Sequence, residues 1–150
     1  MNPSRLRQLI DDVAKGRVGS AEAVDELLGT LRARPFEDLG FARVDHHRSI
    51  RQGFPEVVLG LGKTPEQIAA IAAEIAGRGS TLLVTRATDA AFDAVRRVVP
   101  DAVYHPDARL IAFRQRDVAP GNGVILVVAA GTSDIPIAEE SARTAEYMGN

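Results

Sequence analysis

The sequence contains no cysteine and no tryptophan. Without cysteine there can be no disulfide, no thiolate metal site and no cysteine nucleophile within these 150 residues. No run approaches the ~18 consecutive apolar residues of a membrane-spanning helix. The opening residues, MNPSRLRQLI, lack the apolar core of a secretory signal, so a cytoplasmic location is expected. Lysine is scarce: Lys15 and Lys63 are the only two, and arginine carries the remaining positive charge. Arginine's planar fork suits bidentate recognition of carboxylate or phosphate. Strong charge of either sign is also missing. A net charge of −2 gives no electrostatic reason to expect nucleic acid or an anionic membrane as a partner. What is present is an ordinary globular composition, 45% hydrophobic and 25% charged. The length suffices to bury a core as one or two small domains.

Apolar spacing predicts two helices in the first 34 residues. Leu6, Leu9, Ile10 and Val13 make one stripe, and Gly16 and Gly19 interrupt it. Ser20 can cap a second helix in which Val24, Leu27, Leu28 and Leu31 repeat the spacing, until Pro35 stops it. This hairpin must pack on the rest of the chain or on another subunit, since two short helices rarely stand alone. FARVD (Phe41 to Asp45) and PEVVLG (Pro55 to Gly60) read as short strands separated by the polar HHRSIRQGF. A well-marked helix follows, with Thr64 and Gln67 at capping-box spacing, Pro65 at its first position and Ile68, Ile71 and Ile75 facing inward. TLLVT (Thr81 to Thr85) suits a strand covered on both faces. A helix from about Asp89 to Val99 buries Phe92, Val95 and Val99, and DAVYH and ARLIAFR follow as strands. RDVAPGNG (Arg116 to Gly123) is the best linker. Beyond it, VILVVAAG reads as a fully buried parallel strand, and a helix carries Ile137, Ala138, Ala142, Ala145 and Met148 inward. One such strand and helix cannot cover each other. Either they complete the preceding sheet or the chain is the front of a longer protein.

Two segments concentrate polar chemistry. Gly131, Thr132, Ser133 and Asp134 lie between the apolar run and the last helix. One reading is a helix cap, for which Thr, Ser and Asp are well suited. The other is a phosphate-binding turn: a glycine at a strand's carboxyl end admits a ligand, and free N–H groups and the helix dipole attract an anion. The pattern alone leaves both open. The second segment holds Arg48, Arg51, Glu56 and Lys63 around Gly53-Phe54-Pro55, either a solvated loop or an anion-binding accessory surface. In Asp45-His46-His47, alternation on a strand lets Asp45 and His47 share a face but not His46. A polar segment is therefore favoured over a metal site. His105, before Pro106, is expected in an exposed turn. Arg96-Arg97 and Arg114-Arg116 read as solvated charges, and Glu139 and Glu140 as residues favoured by the helix dipole.

The stretches DHHRSIRQGFPEVVLGLGKTPEQI (Asp45 to Ile68) and VVAAGTSDIPIAEESARTAEYMGN (Val127 to Asn150) resemble the LarB family, the nickel-pincer nucleotide carboxylase/hydrolases. The second stretch is also similar to the first βα unit of PurE-type aminoimidazole ribonucleotide carboxylases, with their Gly-Ser-x-Ser-Asp turn. The resemblance implies an α/β protein in three parts: a helical hairpin (1–35), a small α/β N-terminal domain (36–118) and the incomplete start of a PurE-like, flavodoxin-like parallel three-layer domain (119–150). It implies carboxylation of the pyridinium ring of nicotinic acid adenine dinucleotide. Hydrolysis of the phosphoanhydride then gives pyridinium-3,5-biscarboxylic acid mononucleotide and AMP. Carbon dioxide or bicarbonate would be the co-substrate and Mg a candidate ion, with no cofactor bound by this stretch and no metal site. Gly131, Thr132, Ser133 and Asp134 would contact substrate, Asp134 near the chemistry, with Arg48, Arg51, Glu56 and Lys63 as accessory residues. The family's cysteine nucleophile has no counterpart here, so an inactive N-terminal portion of a homo-oligomer, octameric at full length, is expected. The alternatives are a relative of the aminoimidazole ribonucleotide carboxylases, or a non-catalytic nucleotide-binding or oligomerisation module.

Overall fold

The computed structural model describes residues 3–32, 36–52, 54–115, 121 and 123–150. Pro35 and most of the 116–123 linker, Arg116 included, lie outside the described residues, as do Gly53 and the side chain of Arg51. Two helices open the chain, α1 (Pro3–Ala14) and α2 (Ser20–Arg32). Gly16 takes a left-handed φ of 68° at the break between them, as the sequence predicts. A two-stranded antiparallel hairpin follows, β1 (Phe36–Asp38) and β2 (Arg43–Asp45). Gly40, at φ 82°, makes its turn, and its N–H donates to Asp38 Oδ1 at 2.9 Å.

The polar HHRSIRQGF stretch is not simply a loop. It contains a short helix, α3 (Arg48–Gln52), which sequence periodicity does not announce because it is barely more than one turn. The central unit is β3 (Val57–Leu59), α4 (Pro65–Gly77), β4 (Leu82–Thr85), α5 (Asp89–Val98), β5 (Val103–His105) and β6 (Leu110–Phe113). Its strands form one sheet in the order β3-β4-β6-β5. The β3–β4 pair is parallel and the other two pairs are antiparallel. The expected capping box is formed: the Gln67 N–H donates to Thr64 Oγ1, and the Thr64 N–H donates to Gln67 Oε1 at 3.0 Å. Thr88 caps α5 in the same way, accepting from the Ala91 N–H at 3.2 Å.

Strand alternation divides the core into two layers. Val58, Leu82, Val84 and Ile111 point to one face, where Ile68, Ile71 and Ile75 of α4 and Val95 of α5 cover them. Phe92 stacks on Tyr104 at this layer's edge, with centroids 5.2 Å apart. Leu83, Leu110 and Ala112 point to the other face. The central β4 is thus covered on both sides, as its apolar run predicts.

The opposite face is covered by the last helix, α6 (Ile135–Tyr147), through Tyr147 and Met148. Sequence spacing puts Met148 inward correctly but overlooks Tyr147. Ile137, expected inward, is half exposed, and no residue of α6 is fully buried. The buried parallel strand expected at 124–130 is not formed. Val124, Leu126 and Val128 are 95%, 82% and 80% exposed, and no strand pairs with this run among the described residues. The run pairs with neither edge strand of the sheet, β3 nor β5, so its N–H and C=O groups have no strand partner among the described residues.

Candidate functional site

Two strands of the sheet run parallel, and their carboxyl ends lie side by side. There Gly60 donates its N–H to Thr85 O at 2.8 Å, which binds the loop after β3 to the end of β4. A Cβ at position 60 would meet Thr85 O at 2.9 Å and Arg86 O at 3.1 Å, so only glycine fits. Arg86 takes a left-handed φ of 53°, a conformation costing a non-glycine residue about 1–2 kcal/mol. Glu140 of α6 engages that strained residue twice. It accepts from the Arg86 N–H at 3.2 Å and approaches the Arg86 Nε at 3.2 Å. The sequence reading of Glu140 as a dipole-favoured helix charge misses this, because the partner lies 54 residues away.

At its other end α6 is held by aromatic contacts. His105 Nε2 lies 3.0 Å from Tyr147 Oη, and Arg114 stacks over the Tyr147 ring at 4.9 Å while donating to Glu146 O at 2.7 Å. His105 is therefore half-buried rather than in an exposed turn, because α6 covers it. Burial, then the Arg143 charge, push its pKa below the ordinary 6.5, against Glu146 and Glu139. Arg114, read as a solvated charge, is exposed yet doubly engaged.

The turn that α6 carries is a single 3-10 turn, Thr132–Asp134, with Gly131 in the cap position. The Asp134 N–H donates to Gly131 O at 3.0 Å. Neither Gly131 nor Asp134 provides a side-chain cap hydrogen bond, and Thr132, Ser133 and Asp134 are all exposed. A purely capping role predicts the opposite, a side-chain oxygen spent on a helix N–H. The hydroxyls and the carboxylate thus stand at the positive end of α6 without a capping duty.

The second polar segment gathers around β2, α3 and β3. Arg48 Nε is 4.0 Å from Glu56 Oε2, so the structure brings these two together. Lys63 turns back on its own loop and donates to Leu59 O at 2.8 Å. Arg51 lies on α3. The His47 N–H donates to Asp45 Oδ1 at 3.0 Å, closing the turn into α3. His46 is tucked against α4, its Nε2 3.1 Å from Glu74 Oε1 but out of hydrogen-bond alignment. Burial, then the Arg78 charge, depress its pKa below 6.5, while Glu74 and Glu37 pull the other way. His46, Ser49, Pro55, Glu56 and Ser80 line a cleft with room for about one water molecule, too small for a nucleotide. Among the described residues no group of three His, Asp or Glu side chains is placed to hold a metal ion. Nor does any hydrogen bond or ion pair among the described residues join this segment to the 131–134 turn.

Residues 36–116, more than half the chain, match the model of the LarB/PurE-like N-terminal domain. The chain belongs to the LarB family. The matched domain runs from β1 past β6, so it contains Arg48, Arg51, Glu56 and Lys63 and stops before the 131–134 turn. The LarB chain is also 28% identical, over 134 residues, to an uncharacterized protein of Methanocaldococcus jannaschii. That alignment covers 85% of this chain and 52% of the relative, so the chain spans about half the length of the curated relative it matches. No helix among the described residues is long and apolar enough to cross a membrane.

Proposed function

We propose that this LarB chain serves in the synthesis of a nickel-pincer nucleotide. The reaction is carboxylation of the pyridinium ring of nicotinic acid adenine dinucleotide, coupled to hydrolysis of its phosphoanhydride. The products are pyridinium-3,5-biscarboxylic acid mononucleotide and AMP. Family membership supports the reaction class. The observation that carries the site assignment is the turn at the start of α6, whose Thr132, Ser133 and Asp134 side chains are exposed while the turn lacks a side-chain cap bond.

Within that reading Gly131 lets a phosphate approach the backbone, and the positive end of the helix dipole attracts it. Thr132 and Ser133 add hydroxyl donors. Asp134 accepts from a ribose hydroxyl or moves a proton near the reacting ring. Arg48 and Glu56 form an accessory pair on a separate surface, and Lys63 and Arg51 complete that polar segment. Carbon dioxide or bicarbonate supplies the carboxyl group. No step is assigned to Mg²⁺. The chain has no cysteine, so a thiolate nucleophile would have to come from outside these 150 residues.

The turn's role is tested by titrating AMP and inorganic phosphate into the chain while following backbone amide resonances by NMR. Saturable shifts confined to residues 131–135 and lost in Ser133→Ala are expected. Shifts that are absent, or centred elsewhere, would remove the turn from the proposal.

A further inference from the structure

The hairpin of α1 and α2 points to a second copy of the chain. Leu9 on α1 and Ala23 on α2 are buried, and the two helices pack on each other. Arg5 donates to both carboxylate oxygens of Glu26, at 3.0 and 2.8 Å, which fixes the register of one helix against the other. At ~100° per residue, Ile10 lies about a quarter-turn from Leu9, and Val24 lies about a quarter-turn from Ala23. In an antiparallel pair these two quarter-turns face the same side of the hairpin. Ile10 and Val24 remain 61% and 50% exposed there, with Leu28 next to them. Packing of α1 and α2 among the described residues is chiefly on each other, and the exposure of Ile10, Val24 and Leu28 leaves this apolar side open to solvent.

Two charges edge that side. Arg7 on α1 and Asp25 on α2 are exposed and form no ion pair among the described residues. The Arg5–Glu26 pair places residue 7 of α1 level with residues 24 and 25 of α2. A twofold axis running along the hairpin lays α1 of one copy over α2 of the other, antiparallel and at unchanged height. Arg7 of each copy then stands opposite Asp25 of the other, with the apolar side chains between. We infer that this side binds a second copy of the chain in a symmetric four-helix bundle, closed by two Arg7–Asp25 ion pairs. The surface is small beside the ~800 Å² per partner of a standard interface, so the hairpins associate weakly, with a Kd of roughly 10–100 µM.

The charges make a stringent test. Arg7→Asp puts like charges at both contacts, and Asp25→Arg does the same with opposite sign, so each variant alone dimerises at least ~10-fold more weakly. An equimolar mixture of the two restores both attractive contacts and forms a heterodimer. Sedimentation equilibrium of the whole chain at roughly 10–100 µM reads all three. Ile10→Asp is monomeric throughout, with an unchanged circular dichroism spectrum. Three results overturn the proposal: a wild-type chain that stays monomeric, single variants that dimerise like wild type, or a mixture that does not. A fourth is a lower urea midpoint for Ile10→Asp at ~1 µM, where the chain is monomeric. That outcome would mean the surface packs on its own chain.

Discussion

Removing the Glu140 carboxylate should loosen α6 from the sheet. Glu140 is largely buried, accepts from the Arg86 N–H at 3.2 Å and forms an ion pair with the Arg86 guanidinium at 3.2 Å. A hydrogen bond to a charged group contributes ~1.5–3 kcal/mol. The guanidinium contact is partly exposed, so it counts at the surface scale of ~0.2–1 kcal/mol. Against these stands the left-handed conformation of Arg86, part of whose ~1–2 kcal/mol cost is relieved once the loop is free to relax. Glu140→Ala should therefore destabilise the docked helix by about 2 kcal/mol. Glu140→Gln keeps an acceptor for the backbone N–H and should cost about half as much. Arg86→Gly loses the side-chain contact but removes the strain, so it should be close to neutral. The assay is hydrogen exchange at the Arg86 amide, which reads local opening, together with urea denaturation, which reads global unfolding. An Arg86 amide that exchanges equally in Glu140→Ala and wild type, with stabilities within ~0.5 kcal/mol, would refute the reasoning.

Other consequences follow from the same geometry. Gly60→Ala forces a methyl group against two backbone carbonyls at 2.9 and 3.1 Å and should cost ~1–3 kcal/mol by urea denaturation. An unchanged midpoint would show that the β3–β4 ends are not closely apposed. His46 and His105 have folded-state pKa values below 6.5, so the unfolded chain binds more protons as the pH drops through that value. Stability should be full above pH 6.5, fall as the pH drops from there toward the folded values, and level off beneath them. A urea midpoint that does not fall between about pH 7.5 and 5.5 would contradict this. Asp134→Ala removes no cap bond, so it should change stability by less than ~0.5 kcal/mol. In the complete gene product it should lower turnover at least ~100-fold. A loss of ~1 kcal/mol with turnover intact would return the residue to a capping role.

Where the fold depends on local chemistry, it was legible in the residues. Thr64, Pro65 and Gln67 announce the start of α4 because each satisfies or removes an orphan N–H, and the unbroken Leu82–Thr85 run announces a doubly covered strand. Where it depends on a distant partner, it was not. Val124 to Val128 carries the composition of a buried strand, yet strand formation needs a neighbour that the local pattern cannot reveal. His105 looks like a turn residue until α6 covers it with Tyr147, and Glu140 looks like an ordinary helix charge until Arg86 meets it. The candidate turn itself was readable as strand-like run, glycine and helix start. Its two roles could not be separated, because the choice depends on whether Thr132, Ser133 and Asp134 cap the helix. In the fold no cap bond forms at its ends.

The most direct measurement is incubation of the complete gene product with nicotinic acid adenine dinucleotide and isotopically labelled bicarbonate. Label in a pyridinium mononucleotide, released together with equivalent AMP, is the predicted result. Unlabelled nucleotide, with the dinucleotide recovered intact, would contradict it.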